Sequence, residues 1–227
     1  MSENLKIAIS GASGRMGSAA CAAIESSDDL DLVGKADPET GEGLNQALES
    51  ADVLVDLTTP EAAPKNALAA VESGVQAVVG TTGFDLADLE ARIGAAKGDA
   101  RCLVVPNFAI GAVLMMKFAA EAARHFPQAE IVEMHHPAKL DAPSGTAKRT
   151  AELIEGAGGE VADPIHSVRL AGLVAHQEVI FGSEGETLTL RHDAIDRACF
   201  MPGILLAVRR VSSLPKRFSV GLESVLD

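Results

Sequence analysis

The sequence contains no tryptophan and no tyrosine, and its only aromatic residues are seven phenylalanines among 227 positions. We attach no function to that absence. Cysteine is scarce as well: Cys21, Cys102 and Cys199. An odd, widely spaced set offers neither a disulfide scaffold nor a metal-binding pair, and it fits a reduced, cytoplasmic setting. No apolar run approaches the ~18 residues of a membrane span. The N-terminus shows no basic stretch leading into an apolar one, so no secretory signal is expected. Basic residues are also in short supply. Lysine and arginine total 19 against 32 aspartates and glutamates, a net charge of −13. Nucleic acid needs a basic face, so it is excluded as a partner. The deficit is uneven. Residues 1–108 carry 7 basic and 17 acidic side chains, and residues 109–227 carry 12 and 15. A small anion is therefore better received by the second half.

What remains is ordinary for a globular chain: 47% apolar and 22% charged residues, at a length suited to one large domain or two small ones. Short apolar runs alternate with helical spacing through the first half. Strands are expected at Leu5–Ser10, Leu30–Ala36, Val53–Leu57, Val75–Val79 and Cys102–Val105, and helices at Gly14–Ile24, Ala62–Ser73 and Leu86–Ala96. Such alternation argues for βαβ units and a Rossmann-type parallel sheet in an α/β fold. The pattern changes after Pro106. Long helices are expected at Ala112–His125 and Ser144–Glu155, with strands at Ile131–His135, Ser167–Leu173, Glu178–Phe181 and Thr187–Arg191. Those elements make a smaller α+β domain with a mixed or antiparallel sheet. A last helix, Pro202–Val211, returns to the first domain. The expected division is 1–108 with 199–227 for a dinucleotide-binding domain, and 109–198 for a substrate-binding and oligomerisation domain.

Two segments concentrate chemistry. Gly11-Ala-Ser-Gly-Arg-Met-Gly17 follows a strand and opens a helix. Glycine lets the backbone turn sharply beside a pyrophosphate, and the helix start supplies N–H groups and partial positive charge. The spacing is G-x-x-G-x-x-G, so a plain tight turn stays open beside dinucleotide binding. Gly11, Ala12, Ser13, Gly14, Arg15 and Met16 are the candidate contacts. Asp37 ends the second strand and suits the adenosine ribose hydroxyls, although Asp37-Pro38 also suits a simple turn. A carboxylate there repels a 2′-phosphate and favours NADH, with Arg15 as the counterweight. Gly80, Thr81 and Thr82, and Val105, Pro106, Asn107 and Phe108, leave other strand ends where ligands of parallel sheets sit.

The second segment is Glu133-Met-His-His-Pro-Ala-Lys-Leu-Asp-Ala-Pro-Ser-Gly-Thr-Ala147. Adjacent strand residues face opposite ways, so His135 and His136 are expected to do different jobs. Lys139 is a fixed positive charge or a proton donor. Ser144, Gly145 and Thr146 open a helix and form a carboxylate site. Together they read as a receptor for a small di-anion with proton donors beside it, although each element alone also suits a capped surface loop. Two histidines without further ligands make a poor metal site, so no metal is expected. Arg197 is a further source of charge for the substrate. His125, His166, His176 and His192 are read as structural.

On these motifs, together with Gly80-Thr-Thr-Gly83 and Pro106-Asn-Phe-Ala-Ile-Gly111, the sequence resembles the 4-hydroxy-tetrahydrodipicolinate reductase (dihydrodipicolinate reductase) family along essentially its whole length. The stretch from His166 to Val179 looks most like actinobacterial members. The resemblance implies an NAD(P)H-dependent oxidoreductase of lysine and diaminopimelate biosynthesis. It implies proposed proton donors at His135 and Lys139, substrate contact at His136, and a substrate carboxylate on Gly145 and Thr146. It further implies a cofactor on the first glycine loop, with ribose selection by Asp37 and the nicotinamide held by the middle loops. A homotetramer built through the second domain's sheet is implied too. Some members carry Glu-Arg where this chain has Asp37-Pro38, which points here to NADH or to dual use. Of the acids, lysine, at an ordinary pKa of ~10.4 against ~6.5 for histidine, is the better stocked at neutral pH. A catalytically silent dinucleotide-binding sensor is the alternative; it has no need of His135, Lys139 and Thr146 together.

Overall fold

The computed structural model describes residues 3–226. They group into two units, residues 3–108 with 200–226 and residues 109–199. Cys199 falls in the second of these.

In the first unit the chain runs β1 (Leu5–Ser10), α1 (Arg15–Glu25), β2 (Leu30–Ala36), α2 (Leu44–Leu48), β3 (Val53–Asp56), α3 (Ala63–Glu72), β4 (Gln76–Val79), α4 (Leu86–Ala95) and β5 (Cys102–Val104). Among the described residues the sheet has six strands in the order β11-β5-β4-β3-β1-β2, with β11 supplied by the C-terminal segment. Every pairing in it is parallel. Strands covered on both faces must be apolar throughout, and β3 and β5 are buried at every position. Ile7, Ile9, Leu54 and Leu103 are fully enclosed, each stabilising the fold by about 1.5–3 kcal/mol. The chain steps from β1 to β2 on one side and crosses back to β3 on the other. The crevice for a ligand therefore lies beyond the carboxyl ends of β1 and β3.

The second unit holds α5 (Ile110–Ala122), β6 (Gln128–His135), α6 (Gly145–Gly156), β7 (Glu160–Val161), β8 (His166–Arg169), β9 (Ala175–Ser183) and β10 (Glu186–Ala194). Its sheet is mixed. Strand β6 pairs antiparallel with β9, which pairs antiparallel with β10. On its other edge β6 takes β7 and β8 in succession, both parallel. The expected strand Ser167–Leu173 is thus shorter and sits beside β6, not in a meander with β9. The hairpin between β9 and β10 reverses over Glu184-Gly185, with Gly185 at φ +84°. Helix α7 (Met201–Arg210) returns the chain to the first unit, where β11 (Phe218–Val220) pairs with β5. No helix among the described residues is long and apolar enough to cross a membrane.

Candidate active site

The first unit builds its site from backbone. Gly11 leaves β1 at φ +80°, and a Cβ there would lie 2.8 Å from the Leu57 carbonyl oxygen. A Cβ on Gly17 would lie 2.0 Å from the Gly11 carbonyl oxygen. Only glycine lets helix α1 seat so closely on the turn. Gly14 caps α1 without a side-chain hydrogen bond, so the first amides of that helix are left for an outside acceptor. The Gly14 amide itself donates to the Gly11 carbonyl at 3.1 Å. A tight glycine turn that leads into a helix start with no side-chain cap fits a pyrophosphate.

Asp37 stands at the tip of β2. Its carboxylate accepts from the Glu39 amide at 2.9 Å and the Ser13 amide at 3.1 Å. Those two donors hold the carboxyl below its ordinary range. Asp37 is therefore both a turn residue and a brace for the glycine loop, and its negative charge is fixed beside that loop. Gly80 passes so near Leu57 and Phe108 that an added Cβ would lie 2.7 Å from each ring or methyl carbon. The Thr81 hydroxyl donates to the Thr58 carbonyl at 3.2 Å. Val105 and Phe108 are buried, whereas Ser13, Arg15, Thr82 and Pro106 are exposed.

Sequence reasoning passed over Asp56 at the end of β3. It is fully buried and accepts from the Asn66 amide at 2.7 Å and the Thr58 hydroxyl at 2.7 Å. Burial pushes its carboxyl up, against the pull of those bonds. Its signal was available: Asp56-Leu-Thr-Thr-Pro60 leaves a strand end like the other loops.

In the second unit, side chains with charge do the work. Strand β6 ends at His135, so His136 lies in the following turn, where the Lys139 amide donates to the His136 carbonyl at 3.1 Å. Residues two apart share a strand face, and Glu133 and His135 do so: His135 Nδ1 lies 2.5 Å from Glu133 Oε2. Glu133 is fully buried. Arg169 of β8 grips it with two nitrogens, at 2.8 and 2.9 Å. Burial pushes the Glu133 carboxyl up, but bonds from Arg169, Ser167 and His135 outweigh it and hold the group ionised. Burial lowers the pKa of His135; Lys139 and Arg169 push the same way, and Glu133 opposes without winning.

Lys139 Nζ donates to Asp141 Oδ1 at 2.8 Å, which keeps that carboxyl low. Ser144 is buried, and its hydroxyl caps α6 by accepting from the Ala147 amide at 3.2 Å. Gly145 and Thr146 are the first two residues of that helix, and Gly145 is exposed. His135, Lys139 and the Ser144–Thr146 helix start are thus brought together by Glu133 and Arg169, neither of which the sequence pointed to as site residues. Arg197 is exposed in the 3₁₀ turn Arg197–Phe200 and makes no bond to this cluster among the described residues. Of the other histidines, His176 pairs with Asp193 at 2.6 Å and His166 with Glu130 at 3.1 Å, on strand positions pointing away from α5 and α6. Among the described residues no three histidine, cysteine or carboxylate side chains converge as metal ligands.

Comparison with known proteins decides the family. Residues 5–108 match the model for the dihydrodipicolinate reductase N-terminus, and residues 111–226 match that for its C-terminus. The chain belongs to the dihydrodipicolinate reductase family. It is 48% identical to the 4-hydroxy-tetrahydrodipicolinate reductase of Nocardia farcinica, over 98% of this chain and 99% of that one. With the enzyme of the same name from Thermobifida fusca the identity is 49%, at the same coverage. A solved structure of dipicolinate-bound dihydrodipicolinate reductase from Paenisporosarcina sp. TG-14 superposes with a TM-score of 0.83 at 36% identity. It covers 98% of this chain and 100% of that one.

Proposed function

We propose that this chain reduces 4-hydroxy-tetrahydrodipicolinate to tetrahydrodipicolinate with NADH or NADPH, in lysine and diaminopimelate biosynthesis. The balance is one substrate, one reduced nicotinamide and one proton giving one product, one oxidised nicotinamide and one water. Bound NAD(P)H supplies the hydride that reaches C4 of the ring. The observation carrying this reading is the junction of a helix-start anion site with a histidine through one buried carboxylate, Glu133, whose partner Arg169 also holds the Lys139 carbonyl. A ring dicarboxylate needs that combination.

In this reading the Gly145 and Thr146 amides hold one substrate carboxylate, His136 and Arg197 face the same ligand, and Ser144 serves it by capping the helix start. Lys139 delivers the proton once substrate draws it from Asp141, and His135 bonds to the ring. In the first unit, Gly11 to Met16 hold the pyrophosphate. Asp37 takes the ribose hydroxyls and favours NADH. Gly80 to Thr82 and Val105 to Phe108 line the nicotinamide. We further infer a cytoplasmic homotetramer, assembled through the β9–β10 face of the mixed sheet that is turned from the helices. There Ile180 and Val132 stand half-exposed among the Arg191–Glu178 and His176–Asp193 pairs.

The test is an assay in which the substrate is generated in situ by its synthase, with NADH and NADPH oxidation followed separately. Oxidation that depends on the synthase is expected, faster with NADH. Binding of both nucleotides without oxidation would return the sensor reading. Light scattering coupled to size exclusion checks the tetramer: a mass near that of one chain ends that part.

A further inference from the structure

We propose that Glu133 and Arg169 are the positioning residues of this site, setting His135, the start of α6 and the Lys139–Asp141 backbone in one frame and holding His135 as the tautomer protonated at Nδ1. This rests on the reductase reading for its kinetic part only.

Glu133 lies on the helix-facing side of β6 with Ala129 and Ile131, all three buried. An ionised carboxylate in that row is tolerated only if its oxygens are bound. They are. Oε1 accepts from Arg169 Nη2 at 2.8 Å and from the Ser144 amide at 3.2 Å. Oε2 accepts from Arg169 Nη1 at 2.9 Å and from His135 Nδ1 at 2.5 Å. The four bonds reach three parts of the site, Arg169, His135 and the Ser144 amide, and that amide directly precedes the Gly145–Thr146 helix start.

The guanidinium then reaches beyond the carboxylate. Arg169 Nη2 donates to the Asp141 carbonyl at 2.7 Å and Nε donates to the Lys139 carbonyl at 3.3 Å. A planar fork with five N–H groups can clamp a carboxylate and two carbonyls at once; an ammonium cannot.

The tautomer follows from the inventory of donors. An ionised carboxylate only accepts, so the hydrogen between it and the ring belongs to Nδ1. On a neutral ring, Nε2 then offers a lone pair and no proton. His135 is an acceptor in the resting site, and the ammonium of Lys139 is the resident proton source. The charged groups around the ring set its titration. Glu133 on β6 favours the imidazolium. Arg169 on β8 and Lys139 in the loop oppose it, with Asp141 bound to Lys139. On β9, the cross-strand neighbour of His135 is the uncharged Ala175.

The experiment is ¹⁵N NMR of histidine-labelled full-length protein, with the His135 signals assigned by the variant His135→Gln. Wild type is expected to show the Nδ1-protonated neutral form at pH 7, with a midpoint below that of an ordinary histidine. Arg169→Met should raise the midpoint, since an opposing cation is gone. Glu133→Gln should lower it and mix the tautomers, because an amide can also donate. In the synthase-coupled assay Glu133→Gln should lose about 10- to 100-fold in kcat, with a smaller change in the nucleotide KM. A wild-type ring protonated at Nε2 overturns the proposal, even if neither variant folds. So do folded variants whose midpoints stay put or move together. The NMR needs no turnover: an inactive wild type with the expected tautomer would count against the reductase reading and leave this frame standing.

Discussion

The two ends of the chemistry are built from different materials. In the first unit the site is an absence of side chains: Gly11 and Gly17 leave room for neighbouring backbone, and a helix start is left without a side-chain cap. In the second it is a crowd of charges around one buried carboxylate. A pyrophosphate is long and flexible, and amides aligned by a tight turn can follow it. A small ring that must receive a hydride at one carbon and a proton at another needs groups fixed in direction, which takes bonded side chains. The first site should therefore fail through steric clash and the second through lost charge, each largely without the other.

The largest effect is expected from Gly17→Ala. Its methyl would lie 2.0 Å from the Gly11 carbonyl oxygen, and backbone cannot yield that much without moving the turn. NADH affinity by calorimetry should fall at least about 100-fold, while the His135 ring keeps its ¹⁵N signals. A folded variant in which those signals move as well would break the separation. Next comes Glu133→Ala, which leaves Arg169 with carbonyl acceptors but no balancing carboxylate and costs up to about 3–5 kcal/mol of stability by denaturant unfolding. NADH binding should survive in the folded fraction. Gly80→Ala is milder. The obstructing atoms belong to the side chains of Leu57 and Phe108, which can shift, so about 1–3 kcal/mol is expected. Acid should touch the second unit through His135. Its pKa is lowered by folding, so stability is intact above the unfolded value of ~6.5 and falls as pH drops below it. Arg169→Met should reduce that fall. The smallest effect belongs to Gly145→Ala, where an added methyl meets nothing within 4 Å. Stability should move by less than about 1 kcal/mol.

The same contrast explains what could be read in the sequence. The glycine turn, the strand–helix alternation and the helix start at Ser144 are local, and local patterns are legible without a fold. Strand β11 is three residues long and α2 five, too short to carry a period. The placement of β8 beside β6 depends on pairing across more than thirty residues, which no local pattern encodes. Arg169 was hidden for that reason: it reaches Glu133 only because β8 lies parallel to β6, with Arg169 opposite His135. Glu133 was in view two residues before the histidine pair, yet nothing local marks a glutamate in a strand as buried. Asp37 shows the reverse case: its turn reading holds, since the carboxylate accepts from the Glu39 amide, and the same carboxylate also braces the glycine loop at Ser13, a bond that no local pattern encodes.

Direct hydride transfer is the central claim, and NADH deuterated at the transferring position tests it most directly. Incubated with wild-type protein and substrate formed in situ, it should give tetrahydrodipicolinate carrying one deuterium at ring C4 by mass spectrometry and NMR. Product formed without deuterium, or no product while NADH binds, would contradict the account.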